Sequence, residues 1–188
     1  IIMKKLLCLG DSLTEGYEIL QSDRWTDLLQ LELGKTEIIN CGISGDTTAG
    51  MLSRCERLIL EHRPSHLIIL GGTNDLWFGL KDELILANIH AISRQARFNK
   101  VEVIIGIPTP AFNLNELNLV EENYSECIRS FRTSLIDYCK NDDKPFVDFS
   151  KNITADLMLA DGVHPNKRGH LQMKSNFVEI LANNDYNF

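Results

Sequence analysis

Positive charge is scarce in this chain: 19 lysines and arginines face 26 aspartates and glutamates, a formal charge of −7 over 188 residues. Without a dense basic run there is no global field to hold nucleic acid or an anionic membrane, and nucleic acid is not expected as a partner. Long hydrophobic runs are missing too. No stretch approaches the ~20 apolar residues of a membrane span, so stable membrane insertion is not expected. The five cysteines, Cys8, Cys41, Cys55, Cys127 and Cys139, include no C-x-x-C pair, and their odd number cannot close fully into intrachain disulfides. Reduced thiols in a cytoplasmic setting are the expectation. Residues 1–9 carry two lysines and a short apolar run, with no room for a cleavage site before the polar motif at Gly10, so they read as a first strand. Histidines and carboxylates show no clustered metal-ligand set, and no metal is expected. With no internal repeat, low-complexity tract or linker, residues 1–188 read as one domain.

What is present is alternation. Short apolar runs at residues 5–9, 36–40, 66–70, 101–107 and 145–149 alternate with helix-period segments at 25–33, 48–61, 84–98, 119–139 and 167–182. In the last of these, Leu171, Phe177, Val178 and Leu181 can share one face. Strand and helix in turn imply the α/β class, a three-layer α/β/α sandwich around a parallel sheet. Right-handed crossovers and the length favour a flavodoxin-like five-stranded order, 2-1-3-4-5.

Ligands of open parallel sheets bind beyond the carboxyl ends of the strands. Four polar segments bear on that edge: Gly10-Asp11-Ser12-Leu13, Gly42-Ile43-Ser44-Gly45-Asp46, Gly71-Gly72-Thr73-Asn74-Asp75 and Asp161-Gly162-Val163-His164-Pro165. The first three start where an expected strand ends. A serine hydroxyl needs a base to become nucleophilic, and His164 is the best base available. Asp161, three residues earlier, can hold one imidazole nitrogen through a turn at Gly162 while the other faces Ser12. The backbone N–H groups of Ser12 and Gly45 and the side-chain amide of Asn74 can together receive an oxyanion. Asp11 reads as an acceptor bracing the turn under Ser12. Asn74 and Asp75 are favoured helix N-caps, with Asn74 the better donor and Asp75 its support. His62, His66, His90 and His170 have no comparable partner pattern and read as surface or core histidines.

These four blocks, in this order, resemble the GDSL, or SGNH, family of serine hydrolases. The resemblance spans Gly10 to Pro165 and matches Ser12 to the nucleophile, Gly45 and Asn74 to the oxyanion hole, and His164 with Asp161 to the base and its carboxylate. It implies hydrolysis of small-molecule carboxylic esters or thioesters without metal or organic cofactor. A carbohydrate O-acetylesterase is the alternative within that chemistry, and an acyl- or sugar-binding module the non-enzymatic one.

Trp77 and Phe78 follow the Asn74 block, and residues 108–118, with Phe112, Leu114 and Leu117, form the longest irregular stretch. Together they are expected to wall an acyl or aryl groove. Tyr17 can face the same groove.

Overall fold

The computed structural model describes residues 4–113 and 115–183. Its sheet has five parallel strands in the order β2-β1-β3-β4-β5, formed by β1 (Lys4–Gly10), β2 (Thr36–Gly42), β3 (His66–Leu70), β4 (Glu102–Ile107) and β5 (Phe146–Asp148). That is the expected order. Parallel strands covered on both faces read as unbroken apolar runs, and the central three do.

The pleat sends alternate residues to two cores. Leu7, Leu9, Leu67 and Ile69 pack under helices α3 (Thr48–His62), α5 (Asp82–Phe98) and α6 (Tyr124–Asn141) through Met51, Ile89 and Phe131. Leu6, Cys8, Ile68 and Leu70 face the other way, against Trp25 and Leu29 of α2 (Trp25–Leu33) and Met173 and Phe177 of α7 (Lys167–Asn183). Trp25 is fully buried, 5.0 Å from the Phe149 ring. Removing a side chain of that size costs about 3–5 kcal/mol. Leu171 departs from the expected α7 face: it is 50% exposed, and Met173 fills the core instead.

Two short helices went unforeseen, α1 (Ser12–Glu15) and α4 (Thr73–Trp77). Both begin where a strand ends, and both are too short for hydrophobic period to reveal. Gly72, at φ +111°, turns the chain into α4 at a point where a Cβ would sit 2.7 Å from the Phe131 ring. Asn74 and Asp75 therefore lie inside their helix and do not cap it.

Helix α6 starts at residue 124, five residues later than its pattern suggests. The Asn118 side chain accepts the Val120 and Glu122 N–H groups, closing a turn, and Asn123 caps the helix by accepting the Glu126 N–H at 3.0 Å. Leu119 and Val120, which the helix-period segment included, lie outside the helix and are at least half exposed. Among the described residues, no helix is long and apolar enough to cross a membrane.

Candidate active site

Strand β1 delivers the first polar segment and a set of buried bonds holds it. Asp11, fully buried, accepts the Leu13 N–H at 2.9 Å with one carboxylate oxygen and the Thr73 hydroxyl at 3.1 Å with the other. Burial pushes its carboxyl up to about 6, against those two hydrogen bonds, which favour the charged form. From below, the Trp25 indole N–H donates to the Leu13 carbonyl at 3.1 Å. Ser12 opens α1 on this support and is 6% exposed.

The fourth segment folds into a tight turn facing Ser12. Asp161 accepts the Val163 and His164 N–H groups with Oδ1, at 2.9 and 3.0 Å, and Gly162 takes φ +69°. Its Oδ2 lies 2.7 Å from His164 Nδ1, and His164 Nε2 lies 3.0 Å from Ser12 Oγ, across 152 residues of sequence. Partial burial works to raise the Asp161 carboxyl; the His164 and Val163 N–H groups and the imidazole outweigh it and hold the carboxyl below its usual range. The Tyr17 ring lies 4.5 Å from the imidazole, tilted by 38°.

The second and third segments meet through one hydrogen bond: Asn74 Nδ2 donates to the Asp46 carbonyl at 2.9 Å. Asp75 reaches past it to the start of α3, accepting the Thr48 N–H at 2.9 Å and its hydroxyl at 2.6 Å. Asp75 thus braces the N-terminus of a neighbouring helix. Gly45 stands at φ +82°, a value side-chain-bearing residues rarely adopt, and among the described residues no atom lies within 4 Å of where its Cβ would be.

A cavity of about 280 Å³ opens over these groups, lined by Ser12, Leu13, Thr73, Asn74, Trp77, Asn113, Glu116, Tyr124, Asp161, Val163 and His164. Trp77 belongs to the wall, edge-on to Tyr124 at 5.2 Å. Other expected wall residues do not. Phe78, the C-cap residue of α4, is 51% exposed and outside the lining: still in helical backbone, it stands about 100° round the axis from Trp77. Phe112 packs instead on Ile153, Leu157 and Met158, its N–H bonded to the Gly162 carbonyl. Leu114 lies outside the described residues. Gly45 is not part of the lining; its neighbour Asp46 is bonded to Asn74, which is.

Tyr124, Asn113 and Glu116 join the wall without having been singled out. Tyr124 carried a signal, a tyrosine at a helix start after Asn123; its hydroxyl donates to the Thr73 carbonyl at 3.1 Å. A larger hollow of about 520 Å³, beside Lys81, Glu122 and Cys127, includes neither Ser12 nor His164. His62 and His66 stand four residues apart, yet one ends α3 and the other opens β3, so they share no helical face. Among the described residues no three His, Cys, Asp or Glu side chains converge as a metal site.

The sequence model of the GDSL-like lipase/acylhydrolase family matches residues 8–171. The chain belongs to that family. It is a GDSL-type ester hydrolase. The hydrolase is 30% identical over 169 residues to an arylesterase of Vibrio mimicus, covering 86% of this chain and 80% of the relative. It is 29% identical over 165 residues to thioesterase 1/protease 1/lysophospholipase L1 of Escherichia coli K12, covering 86% and 76%. Among solved structures, the native aryl esterase of M. smegmatis superposes with a TM-score of 0.84 at 21% identity, covering 96% of this chain and 99% of that one, a likeness of fold.

Proposed function

We propose that this hydrolase cleaves small carboxylic esters through a covalent acyl-enzyme carried on Ser12. One observation carries the reading: a single imidazole lies 3.0 Å from the Ser12 hydroxyl and 2.7 Å from the Asp161 carboxylate. In that arrangement His164 Nδ1–H donates to Asp161, so Nε2 is free to take the Ser12 proton as Oγ attacks the ester carbonyl. Negative charge then gathers on the carbonyl oxygen, where the Ser12 and Gly45 N–H groups and the Asn74 amide receive it. The Asn74 amide spends one N–H on the Asp46 carbonyl, which fixes its plane and leaves the second for the oxyanion. As the tetrahedral intermediate collapses, the C–O bond to the alcohol breaks and His164 returns its proton to the departing alkoxide. Water, deprotonated by the same imidazole, then attacks the acyl carbonyl; the bond from that carbon to Ser12 Oγ breaks as His164 returns the proton to Oγ, releasing the acid and restoring Ser12.

Trp77 and Tyr124 give the cavity an aromatic wall suited to a short acyl or aryl group. Asn113 and Glu116 favour a second reading, a carbohydrate O-acetylesterase, since both can bond sugar hydroxyls. One panel separates the two: p-nitrophenyl esters from acetate to palmitate beside acyl-CoA and acetylated sugars. The esterase reading expects a pre-steady-state burst with short p-nitrophenyl esters; acetate release from sugars outpacing them would favour the second. Turnover that persists in Ser12→Ala would overturn both.

A further inference from the structure

Arg54, on the second turn of α3, reaches three separate segments. Its Nε lies 2.8 Å from Asp46 Oδ2, one terminal nitrogen donates to the Cys41 carbonyl at 2.7 Å, and the other to the Gly10 carbonyl at 3.0 Å. Both members of the ion pair are only 12% exposed. Gly10 is two residues before Ser12, Cys41 is the next-to-last residue of the strand leading to Gly45, and Asp46 holds Asn74 through its own carbonyl. Helix α3 has made room for this arrangement at Gly50, where a Cβ would sit 1.9 Å from Asp46 Oδ1.

We infer that Arg54 is a positioning residue that sets the Asn74 amide relative to Ser12, acting through Asp46. The role rests on the proposed oxyanion function of Asn74. A planar guanidinium with five donors can bind a carboxylate and two carbonyls in fixed directions; a lysine ammonium, a point charge on a flexible stem, cannot. Removing the fork leaves the largely buried Asp46 carboxylate without its cation and frees its loop to move. Misplacing a catalytic donor by about 1 Å can cost about 100-fold in rate.

A double-mutant cycle on kcat tests this, with circular dichroism to check folding. Arg54→Gln should lower kcat by about 30-fold while KM moves less than about threefold. In an Asn74→Ala background the same change should cost only about threefold, because the group it positions is gone. If Arg54→Gln does not fold, Asp46→Asn combined with Arg54→Gln removes both charges together and should show the same loss. An equal effect of Arg54→Gln in both backgrounds, or one confined to KM, would overturn the role. If Asn74→Ala itself leaves kcat unchanged, the oxyanion assignment of Asn74 fails and this role fails with it.

Discussion

The backbone N–H of Trp25 donates to Nδ1 of the buried His170 at 3.2 Å, so that imidazole nitrogen carries no proton in the folded chain. Burial first, and then the neighbouring Arg24 charge, push His170 down to about 4. Trp25 in turn holds the Leu13 carbonyl, so His170 supports the Ser12 turn at one remove.

Two buried groups therefore pull stability in opposite directions with pH. An unfolded histidine titrates near ~6.5, so between there and about 4 the unfolded chain binds a proton that folded His170 refuses. That contribution to stability falls as pH drops through the window, by on the order of 3 kcal/mol in full. Asp11 does the reverse. The unfolded aspartate loses its proton near ~3.9 whereas the folded one keeps it to about 6, so stability falls as pH rises between those values, by a similar amount. The two slopes largely cancel in the wild type. In urea unfolding over that pH range, Asp11→Asn should gain a stability that rises with pH relative to wild type, and His170→Gln one that falls. Parallel curves for all three proteins would contradict both assignments.

Asp161→Asn should lower kcat by about 100-fold with little change in folding. The amide can still accept from backbone N–H groups but can no longer stabilise an imidazolium by charge. Because the Asp161 side chain is 41% exposed, water screens part of that charge, so the loss falls short of the ~10⁴ known for a buried triad aspartate. Steady-state kinetics on a p-nitrophenyl ester reads it, and an unchanged kcat would remove Asp161 from the mechanism.

Asn74→Ala should reduce kcat by about 10²–10³-fold, roughly 3–4 kcal/mol, and leave KM nearly unchanged. A defect in KM alone would mean that the amide binds ground-state substrate and not the oxyanion.

Thiol reagents should leave the enzyme active. Burial pushes the Cys55 thiol up to about 11 and Cys139 to about 12, Cys8 is raised as well, and no cysteine lines the 280 Å³ cavity. Iodoacetamide near neutral pH should spare these three in the native protein and reach all five in urea, as read by peptide mass. Inactivation in step with labelling of Cys8, Cys55 or Cys139 would contradict this.

The strand order and the Asp161–His164 pair were legible from local cues, namely apolar runs, the punctuation after them and a three-residue spacing. The meeting of Ser12 with His164, 152 residues away, was legible from the order of the four polar segments at the strand ends. Other features depend on neighbours distant in sequence. Phe112 looked like a groove residue, but the neighbours it packs on lie some 40 residues onward, and only packing reveals them. Leu119 and Val120 continued the apolar period of α6 until Asn118 drew their backbone into a turn. Arg54 was illegible for the same reason, since its three acceptors sit 8, 13 and 44 residues away. Asp75 read as support for Asn74, yet it works by bracing Thr48 of another helix.

Reaction with a p-nitrophenyl phosphonate, followed by intact mass and peptide mapping, tests the central claim most directly. One phosphonyl group per chain, located on Ser12, with loss of activity in proportion and no adduct in Ser12→Ala, is the predicted result. Modification at another residue that tracks the loss of activity, or full ester turnover by a protein already phosphonylated at Ser12, would contradict the account.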